Sequence, residues 1–204
     1  MAMRTAICVQ RSVISDQPSA GIYARCGYTL VELLIVIGIL GISSALLVPN
    51  LVGRDVLKAE AAVRLVIGDL NFAQSDALAH QEMRRVHFYD DGSGYCITRI
   101  MDNTQLDDPF DPDTADYVFD PLGRGSKGDY IVNFTTDERW EGVSISSVEV
   151  DVNDGRDLQY DELGGTVAPN GSPGLGGTIR LTCDNKNYEI TIAPFTGKLT
   201  VRKL

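Results

Sequence analysis

From Tyr28 to Val48 this chain runs through 21 residues of which Glu32 alone is formally charged. No other feature restricts its folding as much. As a helix the run would extend about 31 Å, enough to cross the hydrocarbon core of a bilayer. A carboxylate inside such a run costs roughly 2–3 kcal/mol near the centre and less toward an end, so it usually has a partner and a use. The plainer alternative is a signal anchor that tolerates one glutamate near the interface. Before the run, Met1–Gly27 holds Arg4, Arg11 and Arg25 against Asp16. Positive residues ahead of an apolar segment keep that side in the cytoplasm and send the C-terminal part across the membrane.

Gly27-Tyr28-Thr29-Leu30-Val31-Glu32-Leu33-Leu34 resembles the processing site of type IV prepilins and of the pseudopilins of type II secretion systems. The resemblance implies a cut after Gly27 by a prepilin peptidase, N-methylation of Tyr28 by the same type of enzyme, and Glu32 as fifth residue of the mature chain. In that family the glutamate neutralises the terminal amine of a neighbouring subunit during assembly. Gly41 and Pro49 also stand where many type IV pilins have glycine and proline. The implied partners are therefore the peptidase, other pilin or pseudopilin subunits and the inner membrane, with the head periplasmic or otherwise extracytoplasmic. The organisation expected is a leader over 1–27, an assembly helix over 28–49, its amphipathic continuation over 50–80 and a β-rich head over 81–204.

Loss of the leader removes three arginines and one aspartate, which takes the net charge from −10 to −12. So acidic a chain argues against nonspecific binding to nucleic acid, which depends on phosphate neutralisation by Lys and Arg. It suits a domain that stays soluble beside a membrane.

Helical spacing continues past Pro49. Leu51, Val52, Val56, Ala59, Ala62, Val63, Val66, Leu70, Ala73, Ala77 and Leu78 recur every three or four residues. Arg54, Asp55, Lys58, Glu60, Arg64, Asp69, Gln74 and Asp76 are assigned to the surface. The pattern predicts one long helix from about Thr29 to about His80. Pro49 lacks an amide donor and clashes with the carbonyl of Ala45, so a kink or local unwinding is expected there. Gly38, Gly41 and Ala45 either let another helix approach closely or are simply tolerated small residues.

Beyond His80 the period shifts toward two. Arg85–Tyr89 and Tyr95–Met101 flank a turn at Asp90–Gly94 and predict a hairpin. Tyr130–Thr135 and Val143–Val152 are further strand candidates. Thr178–Cys183, Tyr188–Ala193 and Lys198–Arg202 predict a closing three-strand meander. Asp107–Asp120, Asp151–Glu162 and Gly164–Gly177 are expected as surface loops. The fold class is α+β, a long helix on an antiparallel sheet, and the resemblance implies the same pilin-like fold. Within the family the chain is most similar to the minor pseudopilin H and FimT-like group, through Leu70–Ala77, Val86–Cys96 and the closing Ile190–Val201.

Cys8 and Cys26 fall in the leader. Cys96 and Cys183 are a candidate disulfide that would close a loop of 88 residues, adding about 4 kcal/mol in the chain-entropy model. Two buried thiols are the alternative. The two histidines, His80 and His87, have no zinc-site spacing, and no nucleophile elbow or phosphate loop is present, so an enzyme is not expected. No cofactor is expected either. Asp151, Asn153, Asp154 and Glu162 resemble an EF-hand calcium loop with its glycine one residue early, against solvated turns as the simpler reading. The function implied is a fibre subunit acting in protein secretion. The alternatives are a minor pilin whose head binds a ligand such as DNA through Arg180, Lys198, Arg202 and Lys203, or a tethered binding domain that does not polymerise.

Overall fold

The computed structural model describes residues 29–52, 54–151, 155–184 and 186–204, with the side chains of 45–56 left out of the description. The chain divides into two compact units, Met1–Leu46 and Leu47–Leu204. Two helices come first, α1 (Leu30–Val52) and α2 (Arg54–His80). α1 continues through position 49; residue 53, between the helices, lies outside the described residues. Among the described residues nine strands follow: β1 (Met83–Phe88), β2 (Gly94–Ile100), β3 (Ile131–Asn133), β4 (Val143–Val150), β5 (Asp157–Tyr160), β6 (Thr166–Val167), β7 (Gly177–Cys183), β8 (Lys186–Ile192) and β9 (Leu199–Lys203).

The strands form two antiparallel sheets, ordered β3-β2-β1-β5-β6 and β4-β7-β8-β9. α2 contacts β1 and β5 of the first sheet and β4, β7 and β8 of the second. Its spacing explains this. Ala59, Ala62, Val63, Val66, Leu70, Ala73 and Ala77 are buried and recur at three- and four-residue intervals along one face. The alanines let the helix backbone approach the sheets, while Val66 and Leu70 meet Val86, Phe88, Ile97 and Leu158 in one core with Ile179, Leu181, Ile190 and Ile192. Each large aliphatic side chain buried this way contributes about 1.5–3 kcal/mol. The fold is thus α+β, as the sequence pattern predicts.

The β1–β2 hairpin forms where expected. Its turn needs glycine: Gly92 has φ +71, and a Cβ there would lie 2.4 Å from the Ile145 carbonyl oxygen. That close approach carries a hydrogen bond, Ile145 N–H to Gly92 O at 3.0 Å, which ties the hairpin tip to β4 of the other sheet.

Two loop expectations need correction. Asp151–Glu162 is not wholly loop, because Asp157–Tyr160 forms β5, paired to β1 on one side and β6 on the other. Its alternating Asp-Leu-Gln-Tyr was obscured by the acidic residues around it. The glycine-rich stretch likewise contains the short β6. Of the two readings left open for Cys96 and Cys183, the structure shows no disulfide between them. Both are buried, but Cys96 lies opposite His87 in the first sheet and Cys183 opposite Val143 and Lys186 in the second.

Candidate functional site: two carboxylates on apolar helices

Gly27 and Tyr28, at the expected cut, lie outside the described residues, as do Cys8 and Cys26. Immediately after them Thr29 caps α1. Its hydroxyl oxygen accepts from Glu32 N–H at 3.2 Å and its carbonyl from Leu33 N–H at 3.2 Å. This satisfies helix donors that would otherwise lack a partner. Glu32 therefore sits in the first turn, where the helix dipole favours an anion. Among the described residues its carboxylate has no hydrogen-bond or ion-pair partner.

The large side chains around it, from Leu30 to Ile42, are apolar and exposed, from Leu30 at 79% to Val36 at 46%. Gly38 and Gly41 have open space where a Cβ would point. An uncovered apolar surface of this kind marks a lipid or protein contact. Among the described residues no helix is long and apolar enough to cross a membrane; the apolar run continues beyond residue 44 into side chains outside the description.

Asp69 on α2 is the opposite case. The sequence pattern places it on the surface, yet it is 6% exposed. Tyr95 Oη donates to it at 2.6 Å, Tyr130 Oη at 2.8 Å and Arg124 Nη1 at 2.8 Å. Arg124 reaches onward to Asp120, Nε to Oδ2 at 2.8 Å, and its guanidinium lies 4.6 Å from the Tyr130 ring centroid. Asp120, expected in a surface loop, is fully buried at its side chain. It accepts from Leu122 N–H and Arg124 N–H, both at 2.9 Å.

Burial works against the Asp120 anion, but the Arg124 guanidinium and these two amides outweigh it and hold the carboxyl below its usual value. Burial, with Asp69 beside it, pushes the Tyr95 hydroxyl well above its usual value. The network fastens the loop after Val118 to α2 and, through Tyr95, ties α2 to β2. The signal for it was present in the sequence: Asp69 falls three residues after Val66 and four before Ala73, inside the apolar stripe.

Two other supposed surface residues of α2 also bind within the head. Gln74 Nε2 donates to Gly164 O at 2.6 Å and Thr196 O at 2.9 Å. Asp76 accepts from the buried Arg84, Nε to Oδ2 at 2.5 Å.

His87 on β1 is brought beside Asp157, Nδ1 to Oδ1 at 2.5 Å, and stacks on Phe110 with centroids 4.0 Å apart. Cys96 occupies the opposite register position on β2. Burial pushes its thiol up to about 12, which makes a poor nucleophile. Among the described residues no three His, Cys, Asp or Glu side chains are placed to hold a metal.

Of the calcium candidates, Asn153 and Asp154 lie outside the described residues. Asp151 Oδ1 accepts from Leu175 N–H at 2.6 Å, and Glu162 is exposed. In the basic patch, Arg180 and Arg202 both pair with Glu189 at 3.0 Å.

Residues 23–48 match the family model described as the prokaryotic N-terminal methylation motif. The chain therefore carries a prepilin-type amino terminus, the kind found in type IV pilins and type II secretion pseudopilins. Among solved structures it is similar to the minor pseudopilin EpsH from the Type 2 Secretion System of Vibrio cholerae. The identity is 12%, the coverage 72% of this chain and 96% of that one, and the TM-score 0.43. At that identity and score the likeness supports no functional statement. No curated protein matches the chain.

Proposed function

We propose that this chain is a structural subunit of a type II secretion pseudopilus or a type IV pilus-like fibre, of the minor pseudopilin kind, acting in protein secretion. It is inserted in the inner membrane by its apolar run, cut after Gly27 by prepilin peptidase and N-methylated at Tyr28. The head stays on the far side of the membrane. The observation that carries this reading is the methylation motif over residues 23–48, with Glu32 as its one carboxylate. An exposed apolar helix whose single carboxylate has no partner within the described chain suits a site completed by another subunit. The amine at residue 28 of a neighbour supplies the opposite charge.

The test is Glu32→Ala in cells with an active peptidase and fibre machinery. Cleavage after Gly27 is expected to persist while incorporation into sheared fibres, or into cross-linked subunit ladders, is lost. Normal incorporation of the variant would contradict the role given to Glu32. Against the DNA-binding alternative stands Glu189, which pairs with both Arg180 and Arg202 and offsets part of the charge that a phosphate backbone would need.

A further inference from the structure

β9 is the last strand of the second sheet, and two hydrogen bonds show which way its backbone faces. Leu204 N–H donates to Asn187 O and Ala193 N–H donates to Lys198 O, both at 2.9 Å. Antiparallel ladders alternate, so the even-numbered residues here face β8. The N–H and C=O groups of Leu199, Val201 and Lys203 point away from the sheet. Among the described residues no backbone group meets them. The opposite edge is different. β4 is tied by Ile145 N–H to Gly92 O and by Val150 N–H to Gly155 O, and its register shifts between Ile145 and Ser147. A row of open donors and acceptors on an edge strand, such as β9 offers, is a template for an added strand.

The side chains of β9 say what kind of strand would fit. Leu199, Val201 and Lys203 lie opposite Ile192, Ile190 and Tyr188, all three buried in the core. The apolar inner face thus reaches β9, where Val201 is still 45% exposed. Lys198, Arg202 and Lys203 make this the basic end of a chain with net charge −10. Arg180 lies two strands in, and Glu189 takes up only part of the total.

A second copy pairing β9 with β9 would bring two such cation sets together, which is destabilising. Lysines on an edge are a common guard against self-pairing. The same charges favour an acidic strand.

We propose that the β9 edge is a strand-addition site for an extended acidic segment of a partner protein. That segment places apolar residues beside Val201 and carboxylates beside Arg202. The site is independent of processing at Gly27, so its failure would leave the fibre assignment untouched.

The full chain in detergent micelles is titrated with a labelled peptide of alternating Val and Glu, and with its counterpart bearing Lys in place of Glu. The acidic peptide is expected to bind, and amide exchange at Val201 and Lys203 to slow in the complex. Val201→Pro removes an outward donor but no β8 ladder bond, and is expected to weaken binding at least tenfold. As a second variant, Arg202→Glu with Lys203→Glu should transfer the preference to the Lys peptide. No binding, equal binding of the two peptides, unchanged affinity in Val201→Pro, or unaltered amide exchange would each overturn the proposal. Tighter binding of a duplex oligonucleotide that Val201→Pro leaves unchanged would also overturn it, and assign the basic end to nucleic acid.

Discussion

Glu32 and Asp69 are each a carboxylate set into the apolar stripe of a helix, and the chain treats them oppositely. Asp69 is buried and receives Tyr95, Tyr130 and Arg124 at 2.6–2.8 Å. Glu32 stands exposed on α1 among exposed Leu33, Ile35 and Val36. A buried carboxylate with three donors holds a head together; Glu32 has no partner among the described residues, which suits the contact proposed for it with another subunit. The same contrast runs through the helices. α2 has an apolar face that its own sheets cover. The described apolar side chains of α1 are exposed on every side of the helix.

The sharpest way to break this comparison is to remove Arg124. Arg124→Ala leaves Asp69 and Asp120 buried without their cation, and the head should lose about 3–5 kcal/mol of stability in denaturant titration of the full chain. A loss below about 1 kcal/mol would mean the network is an ornament of a fold held by its core alone.

Next comes a matched pair of truncations. Leu70→Ala removes a fully buried side chain and should cost about 2–5 kcal/mol. Ile37→Ala on α1, where the side chain is 56% exposed, should leave head unfolding within about 0.5 kcal/mol. Equal costs would erase the distinction between the helices.

Acid gives a smaller effect. Because the Asp120 carboxyl is held below its usual value, its contribution is fully present above that usual value and is lost as pH falls through the lowered one. The head should therefore lose stability below about pH 4. In Arg124→Ala, whose Asp120 has lost the guanidinium, that acid slope should flatten. Denaturant midpoints measured across pH 3–6 check the sign.

Glu32→Ala should have the least effect on the head, within about 0.5 kcal/mol. The same substitution is expected to abolish incorporation into fibres.

Much of this was legible in the sequence because periodicity reports burial. The α2 stripe, the β1–β2 hairpin and the β7–β8–β9 meander all follow from spacing and turn chemistry. Asp69 and Asp120 were missed for a common reason. A lone aspartate reads as surface unless its partners are known, and those partners come from distant segments: Tyr95 on β2, Tyr130 next to β3, and Arg124 in a loop. β5 was missed because Asp157 and Gln159 look solvated, while in the fold they meet His87 and the Leu106 carbonyl. At the amino terminus the opposite holds. The motif from Gly27 to Leu34 is read from residue order alone, since the chemistry proposed for it is that of a peptidase and of neighbouring subunits.

The most direct test of the account is intact mass with amino-terminal peptide mapping of the native protein extracted from membranes. The account predicts a chain that begins at N-methylated Tyr28 and lacks Met1–Gly27. A chain that retains those residues in cells with an active prepilin peptidase would contradict it, and would leave α1 as a simple anchor.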